Sequence, residues 1–425
     1  MTAPGSGPAT GPRTAPGAGR APALDAETSP SPAVRLVLTT VFLAYLAQLT
    51  LNPVLAPLSR EVGLAEWQVG ATISTAALMV ALTSSAWGRR SQSRGRKPVL
   101  AAALGLGAAS SAAFALAVWL GTAGLLAGAV LFVLFVLLRG VAFGAAIAAV
   151  APTAQAFIAD VTHDEAARVK GMAGVGAVQG VAMLAGSVAG GALSAVGLLA
   201  PVVAVPVLLL AAVLLVVTRM PRQEATALVA EPARLRVRDP RVLPFLVAGF
   251  GMFTALGFIQ VVTGFIVQDR LALDAATTGL VTGGVLLAAG VGMVLAQVVV
   301  VPRSGWRPAT LLRVGDAVAL LGYALLVPDL GLVGIVVSVL LVGLGLGTAM
   351  PGFTAGPTLL VARHEQGGVA GLVAATTGLT FVVAPLAGTT LYGLWPPLAP
   401  LAGVVVMAAV TLFVVVHPRF RAPRS

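Results

Sequence analysis

The sequence predicts an all-α polytopic membrane protein, with 12 transmembrane helices in two six-helix bundles. Three observations predict it. The first is composition: of 425 residues 58% are apolar and 10% charged, with a mean hydropathy of +0.98. A soluble domain carries about 25% charged residues and a far more polar surface. An ordinary cytosolic enzyme, a nucleic-acid-binding domain and a disordered chain are therefore excluded. The second is that the apolar residues gather into twelve segments, each near the roughly 20 residues a spanning helix needs. The third is that six of these segments lie on each side of a charged, proline-containing stretch.

Residues 1–34, rich in Pro, Gly, Ala, Ser and Thr, read as a disordered tail. They do not read as a signal peptide, because no small-residue cleavage pattern follows the first apolar run. Residues 35–218 form the first bundle, with spans at 35–58, 67–87, 98–119, 125–159, 168–195 and 198–218. Residues 219–240 are the linker. Residues 241–417 form the second bundle, with spans at 241–267, 275–299, 309–327, 330–361, 368–393 and 396–417, and 418–425 is a tail. The segments are too long, and too uniformly apolar, for the alternating strands of a membrane β-barrel.

The net charge of +11 is explained by where the charges fall. With the N-terminus inside, 23 of the 26 Lys and Arg residues lie on the cytosolic side. Arg60 and Arg270 lie outside, and Arg139 lies within the fourth span. This asymmetry orients membrane helices and puts both termini in the cytosol. The expected location is the bacterial cytoplasmic (inner) membrane. No cysteine is present, so disulfides, thiolate metal sites and cysteine nucleophiles are excluded.

The halves also repeat each other. Gly95 and Gly305 take the same place in the links after spans two and eight. Pro152 matches Pro351 in spans four and ten, Asp164-Glu165 matches His364-Glu365, and Ala189-Gly190 matches Ala387-Gly388. Two bundles related by an axis along the membrane normal are the physical form of an alternating-access carrier.

With these features the chain resembles the major facilitator superfamily, from the end of the tail onward. The link after span two reads Gly88-Arg89-Arg90-Ser91-Gln92-Ser93-Arg94-Gly95-Arg96-Lys97. The family pattern is G-x-x-x-D-R-x-G-R-R/K, and Gln92 stands where the family has Asp. Pro302-Arg303-Ser304-Gly305-Trp306-Arg307 is a degenerate copy. Arg139 opens a stretch similar to the span-four motif, with Phe143 at a family glycine position. Gly186-Ser187-Val188-Ala189-Gly190-Gly191 resembles the antiporter pattern G-P-x-x-G-G, with Ser187 in place of proline; Pro385 and Gly388 stand in the matching stretch of span eleven. By these motifs the chain resembles the 12-span drug:proton antiporter branch.

The resemblance implies that Gly88, Gln92, Gly95, Arg96 and Lys97, with Asp160, form a cytosolic latch between the halves. Gln92 can hydrogen-bond but cannot form an ion pair, which weakens that latch. Gly186, Gly190, Pro385 and Gly388 join the gating set, with close helix contact as their physical role. It also implies that spans one, four, seven and ten line a central cavity. Arg139, a basic residue deep in a span, then has two readings: a ligand for an anionic group or for proton movement, and a structural hydrogen-bond hub. Candidate substrate contacts are Gln48, Thr50 and Asn52 near Tyr45, then Gln155, Gln179, Gln260 with Thr263, and Phe353 with Thr354. For each of these, a helix-packing hydrogen bond is the competing reading. Asp316 is expected to pair with Arg313, three residues earlier on the same helix face, near the cytosolic interface. No acid falls in spans one or seven as bounded above.

The function read from the sequence is secondary active export of a small, moderately hydrophobic organic compound by alternating access, with protons as the exchanged ion. The alternatives are an uptake carrier or facilitator for a sugar or organic anion and, from another class, a non-transporting membrane sensor or scaffold. Partners are the small-molecule substrate, the lipid bilayer and protons, with no nucleic acid, and the expected state is a monomer. No nucleotide-binding loop, serine–histidine triad or cluster of His163, His364 and His417 supports an enzyme, a cofactor or a metal site.

Overall fold

The computed structural model describes residues 31–162, 165–221, 238–362 and 365–420, the side chains of 165–170, 173, 366 and 367 excepted. Most of the N-terminal tail, most of the linker, His163, Asp164, Arg363, His364 and the last five residues lie outside these.

Among the described residues, 12 helices are long and apolar enough to cross a membrane. The first half comprises α1 Pro32–Glu61, α2 Glu66–Arg94, α3 Arg96–Thr122, α4 Gly128–Val161, α5 Glu165–Ser194 and α6 Leu199–Arg219. The second comprises α7 Leu243–Leu271, α8 Ala275–Ser304, α9 Pro308–Leu326, α10 Gly331–Leu360, α11 Gln366–Leu394 and α12 Leu398–Val416. With an even number of crossings, both chain ends emerge on one side, the termini face; the other is the opposite face.

Local chemistry sets the boundaries. Helix α1 starts at Pro32, inside the expected tail, because the Ser31 side chain accepts from the Val34 amide and Pro32 fits the first turn. It breaks into a short 3-10 turn at Asn52–Val54, where Pro53 withholds an amide hydrogen. Gly95 alone separates α2 from α3 at φ 87°, and Gly305 ends α8 at φ 60°. Both links of the internal repeat thus turn on a left-handed glycine. Helix α4 contains π-type turns over Phe135–Ala142, and α8 over Ala296–Val300.

Each half has its own apolar core. Phe114, Phe143, Phe157 and Leu209 anchor the first, and Phe265, Tyr323, Phe353 and Phe420 the second. Large apolar side chains such as Leu210, Leu214, Val333 and Leu412 stand exposed, as a wall facing lipid requires.

Two expectations are corrected. Asp316 does not pair with Arg313. It is fully buried, and neither carboxylate oxygen has a hydrogen-bond partner. Arg313 instead donates to the Phe420 carbonyl at 2.8 Å and the Val414 carbonyl at 3.5 Å. Helix α1 runs to Glu61 and α7 to Leu271, so each does carry an acid near its outer end, Glu61 and Asp269. At the start of the second tail, Pro418–Phe420 forms a turn, and the Phe420 ring packs edge-on against Phe245, centroids 4.9 Å apart.

Candidate functional site

The halves meet along a seam near the opposite face, built from small residues. A Cβ at Gly283 of α8 would lie 2.6 Å from the Ser187 carbonyl oxygen of α5, and one at Gly70 of α2 2.6 Å from the Pro385 carbonyl oxygen of α11. These positions admit only glycine without moving a helix. Two hydrogen bonds cross the same seam: Ser194 Oγ to the Ala276 carbonyl at 3.2 Å, and the Leu386 amide to Ser74 Oγ at 3.2 Å. Beyond them, at the surface, Arg60 of α1 forks onto the Asp269 carboxylate of α7, its Nη2 3.0 Å from Oδ2. The same guanidinium reaches Glu66 Oε1 at 3.0 Å and Gln268 Oε1 at 3.3 Å, and Tyr392 of α11 donates to Asp269 Oδ2 at 2.6 Å.

The termini face is built differently. Arg96, buried, pairs with Asp160 at 3.0 Å and donates to Ser91 Oγ at 2.8 Å, while Lys97 donates to the Met220 carbonyl at 2.7 Å. These contacts tie α2, α3, α4 and the end of α6 together inside the first half. Arg241 pairs with Asp239 at 2.8 Å and Glu365 at 2.9 Å inside the second. Its hydrogen bonds hold the Asp239 carboxyl below the usual carboxylate range. Among the described residues, no ion pair on this face crosses between halves. Nothing lies within 4 Å of where a Cβ would stand on Gly88, Gly176, Gly180, Gly371 or Gly378, which line the termini-side stretches of α2, α5 and α11. Among the described residues, the hydrogen bonds and ion pairs that cross between the halves all lie toward the opposite face.

Midway along the second half lies a narrow apolar seat with a free volume of about 10 Å³, room for about one water. Met252, Phe253 and Leu256 of α7, Met293 of α8, and Leu346 and Met350 of α10 line it. The rings of Phe353 and Phe381 brace Phe253 edge-on, at centroid distances of 5.6 and 6.5 Å. Gln297 Nε2 approaches Met350 Sδ at 3.7 Å. Thioethers and aromatic rings adapt to varied apolar surfaces, and these side chains would have to swing aside to admit a hydrophobic face.

The sequence candidates divide accordingly. Phe353 is fully buried and reaches the seat only through Phe253. Arg139 is buried in the π-type turns of α4; its guanidinium carbon stands 4.1 Å from the Phe143 ring centroid, and its Nε has no hydrogen-bond partner. Gln48 is half-buried with an unpartnered Oε1, and Gln179 is half-buried as well. Asn52 and Gln260 are half-buried and Gln155 is exposed. Thr50 and Thr263 bond the carbonyls of Leu46 and Ile259, one turn back in their own helices. Gly186 and Gly190 press on Leu49 and Thr50 of α1, and Gly388 on Phe258 of α7, all within one half. Pro385 and the adjacent Gly191 stand at the seam itself. Gln92 is half-buried in the last turns of α2.

Sequence reasoning missed the Arg60 cluster and the methionine-rich seat. For the first a signal existed: Arg60 and Arg270 are the two basic residues placed on that side, and Asp269 adjoins one of them.

Residues 37–385, well over half of the chain, match the family model described as Major Facilitator Superfamily. No curated protein matches by sequence. Among solved structures, the nucleoside transporter NupG superposes with a TM-score of 0.69 at 10% identity, covering 92% of this chain and 100% of that one. A point mutant of the same transporter gives 0.68 at 11%, covering 90% and 97%. The human organic anion transporter MFSD10 (TETRAN) gives 0.59 at 17%, covering 90% and 98%. At these identities the likeness is one of fold.

Proposed function

The chain belongs to the major facilitator superfamily, and from that premise we propose that it is an uptake carrier or facilitator for a metabolite-sized organic anion with an aromatic or other apolar face. The superfamily consists of non-catalytic carriers, so the chain is a secondary transporter of small molecules and not an enzyme. Residues 35–218 and 241–417 rock about a central site, and the termini face is cytosolic in a bacterial inner membrane.

The observation that carries this reading is the seat lined by methionine, leucine and phenylalanine inside the second half, with the halves joined at the opposite face. A sugar would need a dense set of polar contacts, which this lining lacks; a flat apolar group needs none. Arg139, with an unpartnered Nε, supplies unspent hydrogen-bonding capacity for an anionic or carbonyl group. The similarly folded nucleoside and organic anion transporters fix the probes worth trying first.

Export in exchange for protons is the second reading. The observation that favours it is Asp316, a carboxylate inside the second half with no partner at either oxygen.

Counterflow in proteoliposomes separates the two. Vesicles loaded with an aromatic carboxylate, a nucleoside or a sugar are diluted into trace labelled solute with no pH gradient. The expected result is transient accumulation of the labelled aromatic carboxylate, lost in Arg139→Ala. Accumulation that requires an imposed pH gradient would move the assignment to proton exchange. No exchange of any probe would overturn the proposal.

A further inference from the structure

The partners of Arg60 belong to different halves. Glu66 sits on α2, in the same half as Arg60, whereas Asp269, Gln268 and Tyr392 sit on α7 and α11, in the other. A rigid-body opening of the opposite face therefore sorts them. Glu66 travels with Arg60 and keeps its 3.0 Å contact. Asp269 travels with Tyr392 and loses the guanidinium. We propose that Arg60 is a two-position latch for the opposite face: held by Glu66 and Asp269 together when the seam is closed, and by Glu66 alone when it is open. The inference rests on the alternating-access reading and adds the residues that bias it.

Three features support the assignment. The Arg60–Asp269 contact is bidentate, the geometry in which a guanidinium and a carboxylate bind most strongly. The Arg60 guanidinium carbon also stands 5.2 Å from the Phe265 ring centroid on α7, so its position is set by a second contact across the halves. Finally, among the described residues, the termini-face ion pairs Arg96–Asp160 and Arg241–Glu365 each stay within one half. They neither oppose the latch nor change when the halves rock. Glu66 gives Arg60 a resting partner in the open state, so release does not strand the cation and the latch can close again.

The chain has no cysteine, so a single introduced thiol reports the seam cleanly. Ser194→Cys places one at a fully buried seam position. Labelling by a membrane-impermeant maleimide, added from the opposite face to the full chain in lipid, reads the open fraction. Asp269→Asn is expected to raise the labelling rate about tenfold or more, and Arg60→Gln by a similar factor, since each removes the bidentate pair. Glu66→Gln is expected to change it less than about twofold, because that contact survives in both states. The exchanged pair Arg60→Asp with Asp269→Arg is expected to restore slow labelling. Unchanged labelling in Asp269→Asn and Arg60→Gln, both shown to be folded by their elution profile, would overturn the latch. So would an effect of Glu66→Gln as large as that of Asp269→Asn. Counterflow of the parent chain tests the carrier reading separately: exchange with unaltered labelling sinks the latch alone, and altered labelling without exchange sinks the carrier reading alone.

Discussion

The two faces of this protein use the same residue types for opposite ends. At the opposite face, glycines bring backbones of different halves into contact and an arginine bridges them. At the termini face, among the described residues, Gly88, Gly176, Gly180, Gly371 and Gly378 meet no neighbour, and the ion pairs of Arg96 and Arg241 do not cross between the halves. A glycine or an ion pair thus carries no role until its partner is known to share, or not to share, its rigid body. Pairs inside one half set that half's stability, and contacts between halves set which state is populated.

The largest effect should come from filling the seam. A side chain at Gly283 would meet backbone of α5, which cannot move aside as a flexible side chain can. Gly283→Val should lower counterflow about 100-fold or more by holding the halves apart. Gly180→Val, on the termini-side stretch of α5, meets nothing within 4 Å and should leave thermal stability within about 0.5 kcal/mol of the parent. Equal loss of stability in the two variants would break the distinction between the faces. A transport defect in Gly180→Val without a stability defect would sharpen it, by showing that this stretch is buried in the other state.

Next in size is the pair inside the first half. Arg96 is buried and bonds both Asp160 and Ser91. Arg96→Gln leaves Asp160, which is 28% exposed, without its cation and should cost about 1–3 kcal/mol, read as a lowered unfolding midpoint in detergent. Arg60→Gln should shift labelling at the seam with little change in that midpoint. The sequence resemblance assigns Arg96, Lys97 and Asp160 to a latch between halves. If their removal changes seam labelling more than stability, that assignment stands and the contrast between the faces fails.

The seat gives a smaller effect. Phe253→Leu keeps an apolar lining but removes the ring that Phe353 and Phe381 brace. The Km for an aromatic solute should rise about tenfold with kcat little changed, the mark of lost uniform binding. An unchanged Km would move the binding site out of this pocket.

How far the sequence reaches follows from the same distinction. The spans were legible because a run of about 20 apolar residues meets one physical requirement, a bilayer to cross. The repeat was legible because Gly95 and Gly305 each sit where the backbone turns left-handed. The acids were not. Spacing alone puts Asp316 and Arg313 on one helix face. In the fold, Arg313 finds carbonyls at the end of α12 and the turn after it, and Asp316 turns into the bundle instead. Asp269 lies two residues past the apolar window, on a helix that runs on to Leu271. Its partner Arg60 is 209 residues away, a pairing no local pattern encodes. The seat draws on three separate helices, and its methionines look like any others in a chain of apolar segments.

The smallest effect concerns Asp239, and it tests the termini face directly. Its carboxyl is held below the ordinary range, chiefly by the Arg241 side chain and then by the Arg241 amide. A carboxyl depressed in the folded state adds stability that is fully present above its unfolded value, about 3.9. That contribution is lost as pH falls through the lower folded value. The unfolding midpoint of the parent should therefore bend downward below about pH 4, and the difference between parent and Asp239→Asn should shrink over that same window. The contribution is small, because the pair is open to solvent and screened by salt. Asp239 lies at the end of the linker and Arg241, paired with it and with Glu365, opens the second half, so seam labelling in Asp239→Asn should match the parent at every pH. A change in that labelling would mean that the Arg241 cluster bears on the other half after all, and that the two faces divide their work less cleanly than their contacts do.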